Sequence, residues 1–294
     1  MEKERISERL RGIVNNISSI PTLPVIASRV MELIRNPRTP IQEIASTISS
    51  DQSLTSAVLK VVNSAYYGFP RQISTVKHAL VILGFNEIKN IVFTISILRS
   101  FPPKKNSPFF NHQAFWQHSL GCALASKMLA RFFRYRVTGK VFVAGLLHDI
   151  GKVFLNQYAR DLFEKVMQRV LSNNTSFYEA EKNVLGVTHA EIGGWLAYRW
   201  NLPQEIEESI KVHHFPARAK LNQGLCCVVH LADFLVKMKK VGWSGDKEIP
   251  RVDTSIWKML QSVRPDVDET YLEYFAFLLE EEINQAKPFF DIIG

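Results

Sequence analysis

The chain has 294 residues, 46% hydrophobic and 22% charged, with a net charge of +8. That composition suits a soluble globular protein large enough for two domains or one large one. The charged opening Met1-Glu2-Lys3-Glu4-Arg5 lacks an apolar signal core, and apolar stretches such as Ile91 to Leu98 are too short to span a bilayer. A cytoplasmic location is therefore expected.

Three cysteines, Cys122, Cys226 and Cys227, form an odd set with no Cys-x-x-Cys pair. This argues against a disulfide framework and against a thiolate zinc site, and predicts small buried apolar residues. The charge is uneven. Residues 1–110 carry 14 Lys+Arg against 7 Asp+Glu, a net of +7, and residues 111–294 carry 22 against 21, a net of +1. A basic first half favours an acidic partner, but its charges are scattered, with no run longer than Lys104-Lys105.

Helix signals run the length of the chain. Thr39-Pro40-Ile41-Gln42 reads as a capping box opening a helix through Ser49. Asp51 can cap a helix from Gln52 to Ala65, with Leu54, Val58, Leu59, Val61 and Val62 on its apolar face. Asn63 to Gly68 ends it. Ser74 opens another that Gly84 closes, and Asn86 to Arg99 is apolar nearly all round, as a central buried helix would be. In the following segment, Pro102, Pro103 and Pro108 lie among polar residues and mark a linker.

Beyond the linker the pattern predicts helices at roughly 112–134, 138–153, 156–172, 176–185, 188–200, 203–214, 221–240 and 268–286. Val141 to Leu147 alone is short enough to be a strand, but its flanks favour helix. The expected class is all-α. The expected organisation is a basic helical subdomain at 1–105, a helical core at 106–245 and a helical extension at 246–294.

Five of the eight histidines fall in four separated stretches: Trp116-Gln117-His118-Ser119, Leu147-His148-Asp149-Ile150-Gly151-Lys152, Thr188-His189-Ala190-Glu191 and Val212-His213-His214. Leu231-Ala232-Asp233 follows, and Asp233 is the one acid of a strongly apolar helix. Imidazole and carboxylate together suit divalent zinc, iron, manganese or nickel, so these stretches read as one metal site. Adjacent helical residues diverge by about 100°. His148 and Asp149 can therefore share a centre if they lie at a helix end, which Gly151 supports. Thr188 and Glu191 form a capping box that puts His189 in a first turn. Asp233 needs a partner if buried, a metal or His230. His78 and His112 read as hydrogen-bonded core residues.

The string Ala144-Gly145-Leu146-Leu147-His148-Asp149-Ile150-Gly151-Lys152, with His118 before it and Asp233 after it, resembles the HD superfamily of metal-dependent phosphohydrolases. Leu23-Pro24, Ile48 to Leu54, Val62 to Gly68, Ile73 to Leu80 and Leu83-Gly84 are similar to the HDOD domain, a bacterial signalling relative of the HD-GYP cyclic di-GMP phosphodiesterases. The resemblance covers about residues 20–240 and implies an all-helical fold with a regulatory role. It also implies metal ligands at His118, His148, Asp149, His189, His213, His214 and Asp233, with Lys152 as the lysine that follows the dyad.

Two departures bear on activity. Phe215-Pro216-Ala217 follows the histidine pair where a Gly-Tyr-Pro motif would stand, and Ala114 occupies a position where some relatives place an acid for a third metal. One or two metals are expected. The leading expectation is a regulatory module that binds a protein partner. Tyr66, Tyr67 and Phe69 are candidates for an aromatic surface, although core packing is the favoured reading of these rings. The second is a phosphohydrolase acting on a nucleotide or other phosphate, with Asp149 orienting or bridging and Lys152 offsetting phosphate charge. Nucleic-acid binding ranks last, because no helix-turn-helix pattern is present and the basic residues do not cluster. Oligomeric state is not legible.

Overall fold

The computed structural model describes residues 2–15, 25–36, 38–103, 108–135, 139–246, 249 and 252–290. Leu23-Pro24 and Lys104-Lys105 lie outside them. The described residues are helical and contain no strand. In chain order the helices are α1 (Glu2–Asn15), α2 (Val25–Arg35), α3 (Ile41–Ser49), α4 (Gln52–Val62), α5 (Val76–Leu83), α6 (Phe85–Ser100), α7 (His112–Phe132), α8 (Lys140–Leu147) and α9 (Ile150–Tyr158). They continue with α10 (Arg160–Asn173), α11 (Phe177–Val184), α12 (His189–Arg199), α13 (Gln204–Val212), α14 (Gln223–Met238), α15 (Ser255–Gln261), α16 (Leu272–Gln285) and α17 (Lys287–Phe290). No described helix is long and apolar enough to cross a membrane.

The chain divides into two compact units. One comprises residues 1–20 and 103–280, the other residues 21–102 and 281–294. In the second unit, α3, α4 and α5 pack on one another, and α2, α4 and α5 pack on α6. Helix α6 is buried at Ile88 and at every residue from Asn90 through Ile97. Asp51 caps α4 by accepting from the Leu54 amide. Thr75, one residue after the expected Ser74, caps α5. Thr39 does not form the expected box: its hydroxyl donates to the Leu33 carbonyl instead, which ties α2 to the start of α3. His78 is exposed, so it is not a core residue as expected. Tyr67 and Phe69 are half-buried and stack with planes 4° apart, and the Tyr67 hydroxyl donates to Glu87.

The first unit holds the histidine stretches. Its centre is α7, buried along Leu120–Ala125 and packed against α8 and α14, while α13 packs on both α8 and α14. Helix α12 joins α9 to α13. Two glycines allow these contacts. A Cβ on Gly145 would lie 2.6 Å from the Cys122 carbonyl oxygen, and one on Gly151 would lie 2.1 Å from that of His189. Only residues without a side chain let α8 approach α7, and α9 approach α12, this closely. The expected helix at 138–153 is two helices. It breaks at His148-Asp149, where Asp149 takes φ −102° and ψ 8° ahead of α9. Val141 to Leu147 is helix, not strand.

Candidate metal centre

The break between α8 and α9 turns His148 and Asp149 toward the same point. His118 reaches it from the middle of α7, His189 from the first turn of α12, His213 from the end of α13 and Asp233 from α14. His148 Nε2 is 3.4 Å from Asp149 Oδ2 and 3.5 Å from Asp233 Oδ1. His118 Nε2 is 3.1 Å from Asp233 Oδ1 and 3.8 Å from Asp149 Oδ2. Asp149 Oδ1 lies 3.1 Å from His189 Nε2 and 3.7 Å from His213 Nε2. His214 Nε2 is 2.9 Å from His189 Nε2. The structure thus brings all seven expected residues together.

Four buried atoms in this cluster have no hydrogen-bond partner: His148 Nε2, Asp149 Oδ1, His213 Nε2 and Asp233 Oδ1. Leaving one such group unsatisfied costs about 1–3 kcal/mol, and more for a charged one. His148, Asp149 and His213 form one group of potential ligands, and His148 and Asp233 belong to another with His118 and Cys122, so these atoms are available as donors to a cation. The outer ring nitrogens are fixed accordingly. Nδ1 of His148 donates to the Gly145 carbonyl and Nδ1 of His213 to the Ile210 carbonyl, both at 2.8 Å. Nδ1 of His189 donates to Glu181 Oε2 at 2.6 Å. With its proton on Nδ1, each ring, once neutral, turns a lone pair on Nε2 inward, the arrangement that surrounds bound metals. The residues fit a divalent ion, and the buried His/Cys/Asp groups can hold one.

The charges around the cluster are buried too. Lys152 donates to Asp149 Oδ2 at 2.7 Å and to the Ser244 carbonyl at 2.6 Å, with its ammonium 5.1 Å from the Phe177 ring centre. Lys237 bridges Asp233 Oδ2 at 2.8 Å and Asp246 Oδ2 at 3.1 Å. Burial alone would raise Asp149 and Asp233. Lys152 and His148 outweigh it at Asp149, Lys237 and His118 at Asp233, and both carboxyls sit well below their usual range. His230 is not the partner of Asp233. It donates from Nδ1 to the His213 carbonyl and accepts the Asp253 amide at Nε2, so it braces the turn after α13. His112 is half-buried and accepts from the Trp116 indole.

Sequence reasoning missed Glu181, Lys237 and Cys122. Glu181 reads as an ordinary acid of an amphipathic helix, yet it is fully buried and also accepts the His189 amide. Lys237 stands one turn after Asp233, a spacing that signals an ion pair. Cys122 stands one turn after His118, its Sγ 3.6 Å from His118 Nε2. A cavity of about 190 Å³ opens beside His118, lined among others by Lys237, Lys240, Trp243, Ser244 and Asp246.

The fold recurs in known proteins. The family model of the HDOD domain matches residues 20–216, a stretch that includes α7, the His148-Asp149 break, His189 and the histidine pair. A curated relative from Treponema pallidum (strain Nichols), called an uncharacterized protein, is 26% identical over 252 residues, or 84% of this chain and 48% of its own length. The chain therefore spans about half the length of that relative. Among solved structures, an HDOD domain protein from Geobacter sulfurreducens is 27% identical with a TM-score of 0.83, covering 100% of this chain and 98% of that one. A protein from Shewanella amazonensis SB2B, provisionally described as a phosphohydrolase, shares the fold at 20% identity and a TM-score of 0.74, covering 98% of each chain. With two thirds of the sequence inside the family model and the same fold from end to end in Geobacter, the chain belongs to the HDOD domain family.

Proposed function

We propose that the chain is a bacterial regulatory HDOD module whose cluster holds one or two divalent transition metals, and whose output is the binding of a regulatory protein partner. His118, His148, Asp149, His189, His213, His214 and Asp233 would hold the metal, with iron, manganese, zinc and nickel as the candidates. The observation that carries this reading is enclosure. His118, His148, Asp149, Lys152, His189 and His213 are each at most 1% exposed. A catalytic metal keeps an open position facing its substrate, whereas a structural or sensing site is closed.

The charge count supports a cation. Asp149, Asp233, Asp246 and Glu181 face Lys152 and Lys237, leaving two negative charges uncompensated when the histidines are neutral. One divalent ion cancels them. A second ion would bring excess positive charge and so would favour a bound anion, such as a phosphate.

The cavity beside His118 favours a second reading, a metal-dependent phosphohydrolase or nucleotide phosphodiesterase. A bound divalent ion would lower the pKa of a coordinated water and polarise a phosphate. Asp149 would orient that site. Lys152 would act on it through Asp149, on which its ammonium already rests, and Lys240 would meet the phosphate's charge at the cavity.

Two measurements separate the readings: elemental analysis after anaerobic purification, and hydrolysis of bis(p-nitrophenyl) phosphate and a nucleotide panel with Mn²⁺ or Fe²⁺. The regulatory reading expects bound metal and no turnover above the Asp149→Ala background. Metal-dependent turnover that Asp149→Ala abolishes establishes the hydrolase. Absence of any transition metal, both as purified and after loading, removes both readings.

A further inference from the structure

We infer that Cys122 is a metal ligand, completing a four-donor set with His118, His148 and Asp233. The inference rests on the metal reading above and adds a thiolate that the histidine and aspartate pattern does not include. His118 and Cys122 are four residues apart on α7, so their side chains share one face of the helix. Gly145 brings α8 against the Cys122 backbone, which delivers His148 to the same face. Asp233 reaches it from α14, which also packs on α7. The four donor atoms lie within 4.8 Å of one another, and all four residues are buried.

The spacing suits a tetrahedral site. With metal–nitrogen and metal–oxygen distances of about 2.0–2.1 Å and metal–sulfur of about 2.3 Å, tetrahedral angles put nitrogen and sulfur about 3.6 Å apart and nitrogen and oxygen about 3.3 Å apart. The structure has Cys122 Sγ 3.6 Å from His118 Nε2, and Asp233 Oδ1 at 3.1 Å from His118 Nε2 and 3.5 Å from His148 Nε2. Two of these atoms, His148 Nε2 and Asp233 Oδ1, are buried without a hydrogen-bond partner. A second feature isolates the set. Asp233 Oδ2 is held by Lys237, and His148 Nδ1 by the Gly145 carbonyl, so only one donor atom of each points inward.

The consequence is selectivity. A thiolate shifts preference toward zinc and ferrous iron and away from magnesium and manganese, which favour oxygen. The remaining donors, from Asp149, His189, His213 and His214, form a harder group of nitrogen and oxygen. Cys226 and Cys227 provide an internal contrast. They too are buried, but burial pushes both thiols up to about 12, and neither belongs to a cluster of potential ligands among the described residues.

The test is to load metal-free full-length protein anaerobically with Co²⁺ and record its absorption spectrum. Cobalt d–d bands with a near-ultraviolet thiolate-to-cobalt charge-transfer band are expected. The charge-transfer band should vanish in Cys122→Ser and persist in Cys226→Ser and Cys227→Ser. Cobalt affinity of Cys122→Ser should fall at least tenfold while the other ligands still bind. Should Cys122→Ser not fold, X-ray absorption at the zinc edge of the wild-type protein decides, with a sulfur scatterer at about 2.3 Å expected. Metal bound with d–d bands but no sulfur signature overturns the Cys122 assignment and leaves the metal reading standing. No metal binding at all overturns both.

Discussion

Lys152 donates to Asp149 and to the Ser244 carbonyl from a fully buried position, so one ammonium holds both a cluster carboxylate and the loop after α14. Lys152→Met removes that charge while keeping most of the volume, and leaves Asp149 buried beside one cation fewer. Breaking a buried pair in this way costs about 3–5 kcal/mol. Urea unfolding of the metal-free variant should show a loss of that size, and a loss under 1 kcal/mol would refute the role. His118 carries a pH prediction for the metal-free protein. Burial alone would lower its pKa, but Cys122 and Asp233 outweigh burial and raise it from 6.5 to about 9. The folded state then binds this proton more tightly than the unfolded state. The stabilisation is fully present below about pH 6.5 and is lost as pH rises through about 9. Stability of the metal-free protein should therefore fall between those values, as measured by denaturant midpoints, while metal affinity rises over the same range because the ion displaces protons. The histidines and aspartates were legible because ionisable letters are rare in apolar helices and must have partners. Glu181 was not, since whether Glu179 or Glu181 is buried depends on where α12 packs.

Helix α8 can lie on α7 only because Gly145 has no side chain. Its missing Cβ would meet the Cys122 carbonyl at 2.6 Å, Ser126 Oγ at 2.7 Å and Ala123 Cα at 2.9 Å. Two of those three are backbone and cannot rotate away. Gly145→Ala should destabilise by about 1–3 kcal/mol, the usual range for overpacking. Gly12, within α1, has nothing within 4 Å of its missing Cβ. There the same substitution should stabilise by about 0.4–1 kcal/mol through the unfolded chain. Paired thermal melts check the opposite signs, and equal effects at both sites would contradict this packing argument. Helices were legible wherever apolar spacing and a cap coincided, as at Asp51 and in the Thr188–Glu191 box. They were misread where tertiary contacts override local signals. The stretch 138–153 has continuous helical character, yet it breaks at Asp149 where the cluster draws in two adjacent side chains. Thr39 has a box partner in sequence, but its hydroxyl finds the Leu33 carbonyl.

At the scale of the whole chain, the cluster belongs to one of two units. Its donors lie on or beside α7, α8, α9, α12, α13 and α14, and none comes from α2–α6. The sequence separates these roles only partly. A linker signal near residue 103 coincides with one division, but α1 groups with the unit that follows the linker, where it packs on α12 and Arg11 lies over the Trp195 ring at 5.8 Å. No local pattern predicts that return, because it depends on a contact between residues nearly two hundred positions apart. Ligand binding to the folded state alone adds stability by mass action, about 2.7 kcal/mol when free metal is a hundredfold above its dissociation constant. That energy enters where the donors are. Hydrogen exchange of metal-loaded and chelator-treated protein should therefore differ by slower exchange in α7, α8, α9, α12, α13 and α14 when metal is bound, with α2–α6 unchanged under conditions that favour local opening. Protection gained equally in both units would mean that they open together, and no change anywhere would mean that the cluster holds no ion.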